Sequence, residues 1–133
     1  MTATSPSLES ITVADVMHQG VLTCSPTTSL LTVAREMAAH RIHCVVVRTH
    51  DTNAVWGVVS DLDLVAAAAL GAVDDVAGAV AATPAVMVRT EDGLRRAMQL
   101  MTEHQVTHLV AVDHHGRPRG VISTLDVANA LAD

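Results

Sequence analysis

The segment Gly57-Val58-Val59-Ser60-Asp61-Leu62-Asp63-Leu64 is the most informative part of the sequence, because the chain carries it twice. It returns as Gly120-Val121-Ile122-Ser123-Thr124-Leu125-Asp126-Val127, and five of the eight positions are identical. The segment 29–40 returns in the same way as 93–104. This repeat predicts two similar structural units, since each copy corresponds to one supersecondary unit.

The hydrophobic pattern inside each repeat changes from a helical period to a strand pattern. Apolar residues recur at i, i+3, i+4 and i+7 along 29–40 and 93–104, which predicts an amphipathic helix in each copy. The polar pairs 27–28 and 91–92 ahead of these helices are suited to capping. Two strands joined by a polar turn and a second helix should follow. The predicted ranges are 44–47, 55–59 and 61–70 in the first copy and 109–112, 119–122 and 124–132 in the second.

A further strand and a short helix should precede these elements in each copy, at 20–23 and 13–17 and at 85–88 and 75–82. Each copy is therefore roughly β-α-β-β-α, which indicates an α+β fold. A unit of about 60 residues buries little apolar surface by itself. We therefore expect the halves to pack sheet to sheet about a pseudo-twofold axis, with a cleft between them. The predicted boundaries are a flexible tail at 1–10, a first repeat at 11–73 and a second at 74–133.

Composition excludes several classes of function. The formal net charge is −6, and Trp56 is the one aromatic residue, so neither phosphate-backbone binding nor base stacking is favoured and we expect no nucleic-acid partner. The apolar run 64–73 is too short for a bilayer, which needs about 20 residues. The first ten residues lack the basic and apolar regions of a secretory signal. We therefore expect a cytoplasmic protein without membrane contact.

The repeated Ser-x-x-Asp sequence has two interpretations. Ser60 with Asp63, and Ser123 with Asp126, fit a helix capping box, which by itself explains one copy. The same strand-to-helix turn also exposes backbone N–H groups that attract an anion, and an Asp one turn later can accept hydrogen bonds from a ribose diol. The residues alone favour capping, because the motif is short and common.

Two copies, each after a hairpin in a tandem repeat, resemble the CBS domain pair, or Bateman module. Its motif reads Gly, two aliphatic residues, Thr or Ser, two residues, Asp, and the resemblance covers residues 11–133. It implies a regulatory module that binds an adenosine-containing ligand such as AMP, ATP, NAD or S-adenosylmethionine and forms a homodimer. No cofactor is required, and the regulated partner would be a separate effector protein.

The resemblance also implies roles for particular residues. Asp63 and Asp126 would hold ribose hydroxyls, and Ser60 and Ser123 would meet phosphate. The residues implied to hold adenine are Thr23, Cys44 and Val45 in the first copy and Met87, His108 and Leu109 in the second. Asp61 beside Ser60 adds a negative charge that the second copy lacks, whereas Arg119 supplies a positive charge before Gly120. If one site is filled, we expect the Ser123 and Asp126 site.

Four alternatives remain. Eight histidines suggest metal binding, but the pairs His40 with His43 and His114 with His115 match no tight ligand signature, so no metal ligand is assigned. Cys24 and Cys44 could form a redox switch, although two core thiols are favoured. No local signature of a nucleophile and base indicates catalysis, so we expect no enzyme and no catalytic residue. The fourth alternative is a ligand-free dimerisation or interaction module.

Overall fold

The computed structural model describes residues 10–49, 51 and 54–133. The tail predicted at 1–10 lies outside the described residues except for Ser10, and so do three residues of the first hairpin turn, His50, Thr52 and Asn53. In chain order the elements are α1 (Val13–Val16), β1 (His18–Gln19), β2 (Thr23–Cys24), α2 (Leu30–His40), β3 (Cys44–Arg48), β4 (Val55–Ser60), α3 (Asp61–Ala69), α4 (Ala77–Val80), β5 (Met87–Arg89), α5 (Leu94–His104), β6 (His108–Val112), β7 (Pro118–Ser123) and α6 (Thr124–Ala132).

The chain forms two compact units, each a mixed α+β structure as predicted. The first unit is Val21–Ala85, and the second combines Val86–Asp133 with the described residues up to Gly20. The long helices and the hairpin strands fall within two residues of their predicted bounds. None of the helices in the described ranges has the length and apolar character needed to cross a bilayer.

The first unit is built on a three-stranded sheet in the order β2-β3-β4. β2 runs parallel to β3, and β3 and β4 form the antiparallel hairpin with Cys44 opposite Ser60. The apolar face of α2 covers this sheet, since Val33 and Met37 pack against β-branched side chains of β3 and β4. The buried core is therefore aliphatic.

The second unit has a four-stranded sheet in the order β1-β7-β6-β5. β5 runs parallel to β6, β6 and β7 form the hairpin with His108 opposite Ser123, and β1 adds an antiparallel edge strand to β7. Leu94, Leu109 and Ile122 are fully buried in its core. The sheet thus repeats the first one, with β1 as an additional paired strand.

The short segment that precedes each repeat packs in the unit built from the other repeat. The Val13 N–H of α1 donates to Asp92 O at 2.8 Å, and the equivalent Ala77 N–H of α4 donates to Thr28 O at 2.8 Å. These bonds fasten residues 11–20 to the start of α5 and residues 75–81 to the start of α2. The bounds of the compact units therefore differ from those of the sequence repeats, which divide the chain between residues 73 and 74.

Local starts and ends differ from the prediction in a few places. The cap of α2 is Ser29, whose Oγ accepts from Thr32 N at 3.1 Å, and that of α5 is Gly93, which offers no side-chain acceptor. The polar pairs at 27–28 and 91–92 lie one residue too early to be the caps. The carbonyls of Thr28 and Asp92 instead accept from the first N–H of α4 and of α1. The short helix predicted at 75–82 spans only Ala77–Val80. Strands β2 and β5 begin later than predicted.

Candidate functional site

The Ser-x-x-Asp turn of the first unit is a complete capping box. Ser60 ends β4 and caps α3, where its Oγ accepts from Asp63 N at 3.2 Å. Asp63 Oδ2 accepts in return from Ser60 N at 2.8 Å and from Ser60 Oγ at 3.0 Å. Among the described residues, no hydrogen bond uses Asp63 Oδ1. One carboxylate oxygen thus fixes the turn, and the other is left for a further donor.

The turn of the second unit has the same box with one additional partner. Ser123 Oγ accepts from Asp126 N at 3.2 Å, and Asp126 Oδ2 accepts from Ser123 N at 2.8 Å. The other oxygen, Asp126 Oδ1, lies 3.1 Å from Nε2 of His18. Asp126 is buried, so this carboxylate is shielded from solvent and bound by protein at both oxygens.

The glycine of each motif makes room for a crossing backbone. A Cβ added to Gly57 would lie 2.8 Å from Ala82 O, and one added to Gly120 would overlap His18 O. Val58 exchanges backbone hydrogen bonds with Ala82, and Val121 faces His18 in β1. The Gly that opens the motif is therefore explained by packing, independently of any ligand.

The residues implied to hold adenine in the first unit do not all meet. Cys44 faces Ser60 across the hairpin, but its side chain is buried. Thr23 and Val45 instead line a cavity of about 220 Å³ that contains neither Ser60 nor Asp63. Its lining residues are Leu22, Thr23, Cys24, Thr28, Thr32, Val33, Glu36 and Val45. This volume is below the roughly 300 Å³ at which ligand pockets usually begin.

The implied residues of the second unit are also divided. His108 faces Ser123, and its Nδ1 lies 3.0 Å from Thr107 Oγ1. Met87 is 44% exposed, whereas Leu109 is fully buried in the core and could offer a ligand only its backbone. The structure therefore brings His108 to the Ser-x-x-Asp turn and leaves the Leu109 side chain in the core.

Arg119 lies away from the turn at which it was expected. It stands four residues before Ser123 on β7, which corresponds to roughly 13 Å along a strand. Its Nε is 3.9 Å from Asp113 Oδ2 at the hairpin end. Arg119 was expected to place a positive charge near Ser123, but its guanidinium lies beside Asp113 instead.

The residues beside the two turns differ in charge. Asp61 Oδ2 lies 3.0 Å from His43 Nδ1, and Asp61 Oδ1 accepts from Leu62 N at 2.9 Å. In the second unit Thr107 and Thr124 hold the equivalent positions, joined by a backbone hydrogen bond of 3.0 Å. The imidazole of His43 therefore faces the additional acid of the first unit.

The two cysteines are poorly placed for a disulfide. Cys24 faces Val47 in the parallel pair, three residues beyond Cys44, so the two Cα atoms are roughly 10 Å apart along the strands. A disulfide requires about 7 Å or less. Burial raises the pKa of the Cys44 thiol to about 12, with a further contribution from the Asp61 carboxylate. Burial also raises the pKa of Cys24. Both effects disfavour the thiolate.

The histidine pairs considered for metal binding have separate partners. His40 Nδ1 contacts the backbone O of Glu36 at 3.0 Å, while His43 contacts Asp61. The rings of His114 and His115 contact each other at a tilt of 42°, with centroids 3.9 Å apart. Within the described part of the chain, no three His, Cys, Asp or Glu side chains are grouped to hold a metal ion.

Comparison with known proteins accounts for the doubled motif. Residues 13–70 and 74–133 each match the CBS domain. The chain belongs to the CBS domain family. This CBS domain pair is 26% identical over 123 residues to MK0525, an uncharacterized protein of Methanopyrus kandleri, and the match covers 90% of this chain and 62% of that relative. The chain thus spans less than two thirds of the relative's length.

Solved CBS domain structures share the fold. The CBS-domain containing protein ATU1752 from Agrobacterium tumefaciens is 27% identical, with a TM-score of 0.79 over 90% of this chain and 92% of the other. CBSX2 in complex with AMP is 25% identical, with a TM-score of 0.72 over 92% and 96% of the two chains. The predicted resemblance and the α+β fold are therefore confirmed.

Sequence reasoning missed two residues of these turns. His43 was considered only with His40 as a metal pair, and His18 was assigned no role. The signal that could have found His18 is the repeat itself, because the equivalent position of the first unit is Ala82. The second turn therefore has a histidine beside it where the first turn has an alanine, so the two turns differ in their neighbouring side chains.

Proposed function

We propose that this CBS domain pair is a regulatory module that binds an adenosine nucleotide at its Ser-x-x-Asp turns. The observation that carries the proposal is the geometry of Asp63. Its Oδ2 is fixed by Ser60, while its Oδ1 is available to accept from a ribose hydroxyl. A carboxylate held in this way is already oriented, so a ligand need not order it.

The relatives support the choice of ligand class. CBSX2, which shares a quarter of its residues with this chain, was solved with AMP. The chain has one aromatic residue, Trp56, so stacking cannot be the main means of holding the base. Recognition of the base would rest on apolar contact and backbone hydrogen bonds. Thr23 and Met87 are the exposed members of the implied adenine set and are the side chains proposed to contact the base.

Regulation is proposed to act through a homodimer or through a separate effector protein. Large apolar side chains are exposed on the helices that follow the motifs, namely Leu62 and Val65 on α3 and Leu125 and Leu131 on α6. Contiguous apolar patches mark surfaces that contact another chain, and we propose that these residues form such surfaces. A ligand at the start of α3 or α6 would act on the same helices. We propose binding rather than catalysis for all of these residues.

The test is calorimetric and thermal titration with AMP, ADP, ATP, NAD and S-adenosylmethionine. A ligand at 100 times its Kd should stabilise the protein by about 2.7 kcal/mol. Asp63→Ala and Asp126→Ala should each remove the response of their own turn.

Asp15→Ala is the matched control. Asp15 forms the same type of capping box with Thr12 in α1, but it does not follow the repeated strand. It should lower stability without changing the nucleotide response. If no nucleotide stabilises the protein, the Ser-x-x-Asp turns are helix caps only, and the interaction module becomes the better explanation.

A further inference from the structure

His18 occupies the carboxylate oxygen that a ribose would use in the second unit. Its Nε2 lies 3.1 Å from Asp126 Oδ1, and the His18 side chain is 79% exposed while that of Asp126 is 8% exposed. A carboxylate only accepts, so the imidazole donates from Nε2. With Oδ2 already bound by Ser123 N, Asp126 has a protein donor at each oxygen.

The first unit lacks this donor. His18 faces Val121 on β7, and the equivalent bridge of the first unit joins Val58 to Ala82. An alanine has no side-chain donor, and Asp63 Oδ1 has no hydrogen bond from any described residue. The two turns therefore share one backbone design and differ in whether the ribose-binding oxygen is already taken.

We propose that His18 is a specificity-determining residue that competes with the ligand for Asp126, so that the first unit holds the higher-affinity site. This inference rests on the proposed function, because it assumes that both carboxylates bind ribose. It reverses the order of occupancy expected from the sequence, which favoured Ser123 and Asp126. A nucleotide enters the second turn by displacing an imidazole that is 79% exposed.

The experiment isolates each site and then removes His18. In Asp63→Ala protein only the second turn retains its carboxylate, and adding His18→Ala should tighten AMP binding roughly tenfold, the effect expected of removing one competing charged hydrogen bond. In Asp126→Ala protein, which retains the first turn, adding His18→Ala should leave the AMP affinity unchanged. Isothermal titration calorimetry measures all four proteins, and their melting temperatures report whether each is folded.

The outcomes separate the two ideas. If the wild type and all variants fail to bind AMP, the proposed function is wrong and the role of His18 falls with it. If AMP binds but His18→Ala changes neither background, or tightens both, the role of His18 alone is wrong. Should Asp63→Ala not fold, the two-site AMP isotherm of wild type against His18→Ala gives the same decision. The proposal then requires the larger of the two dissociation constants to fall and the smaller one to stay unchanged.

Discussion

At the scale of single residues, the Asp of each turn has one carboxylate oxygen for capping the helix and a second oxygen for another donor. In both Asp63 and Asp126, Oδ2 accepts a hydrogen bond in the helix cap. The two residues differ at Oδ1, which contacts His18 in Asp126 and has no described donor in Asp63. Asp61 adds a further difference, since it places a carboxylate at the first residue of α3 where α6 begins with Thr124.

We expect Asp61 to select against phosphate at the first turn. Its Oδ1 accepts from Leu62 N, a backbone donor that a phosphate oxygen would otherwise use, and its charge repels the anion. Asp61→Thr should therefore tighten AMP binding roughly twofold to fivefold, the size of a charge effect at an exposed helix N-terminus. Calorimetry in the Asp126→Ala background measures it.

Uncharged adenosine is the control ligand for this prediction. Its affinity should be the same with and without the Asp61→Thr substitution, because it carries no phosphate. An equal gain for adenosine and AMP would mean that Asp61 acts on the shape of the turn and that charge selection is wrong.

The Cys44 thiol should be inert near neutral pH. Burial raises its pKa to about 12, so the reactive thiolate forms only as the pH approaches that value. At pH 8 a thiol reagent should leave Cys44 unmodified in the native protein and modify both cysteines after unfolding in guanidinium. Rapid labelling of native Cys44, located by peptide mass spectrometry with Cys44→Ala as the control, would contradict this burial.

At the scale of elements, the exposed faces of α3 and α6 predict self-association. Leu62 is 72% exposed and Leu125 is 62% exposed at equivalent positions of their helices. If these faces form a homodimer, light scattering should give twice the monomer mass of 13.9 kDa, and Leu62→Asp with Leu125→Asp should reduce it to the monomer value. The same change at Leu31, an exposed residue of α2, serves as the control. A monomeric wild type would refute the homodimer.

The element order was predictable from sequence, and the reason is the repeat. The i, i+3, i+4, i+7 spacing located α2 and α5, and the β-branched runs located β3 and β6, because local periodicity determines which face is buried. The contact between His18 and Asp126 was not predictable in this way. It depends on β1 joining β7, a pairing between distant parts of the chain that no local pattern specifies.

The site was predictable only in part for the same reason. The Ser-x-x-Asp turns are where the motif placed them, since a capping box is a local structure. Leu109 was assigned to adenine by position, but β6 turns its side chain into the core. Arg119 was placed near Ser123 by sequence proximity, while the extended geometry of β7 carries it to the hairpin end.

At the scale of the whole molecule, α1 should matter to a unit far from it in sequence. Val13 is fully buried in the core of the second unit. Val13→Ala should lower the free energy of unfolding by about 2 kcal/mol, from lost burial and the cavity left behind. Hydrogen exchange should show the loss of protection in β6 and β7.

Ala14→Gly is the control for this prediction, because Ala14 neighbours Val13 in α1 but is exposed. It weakens the helix without opening the core, so its effect on β6 and β7 should be smaller. A loss of protection confined to β3 and β4 after Val13→Ala would show that α1 supports the other unit.

The origin of the leading segments also limits how this protein can be divided. Of the two units, Val21–Ala85 is contiguous, whereas the other needs residues from both ends of the chain. A fragment that begins at residue 74 would lose the strand that carries His18 and keep α4, whose first N–H groups bond to Pro26 and Thr28 of the missing part. A circular permutation that begins at Val21 and joins Asp133 to the segment ending at Gly20 would instead make each unit one uninterrupted stretch of polypeptide.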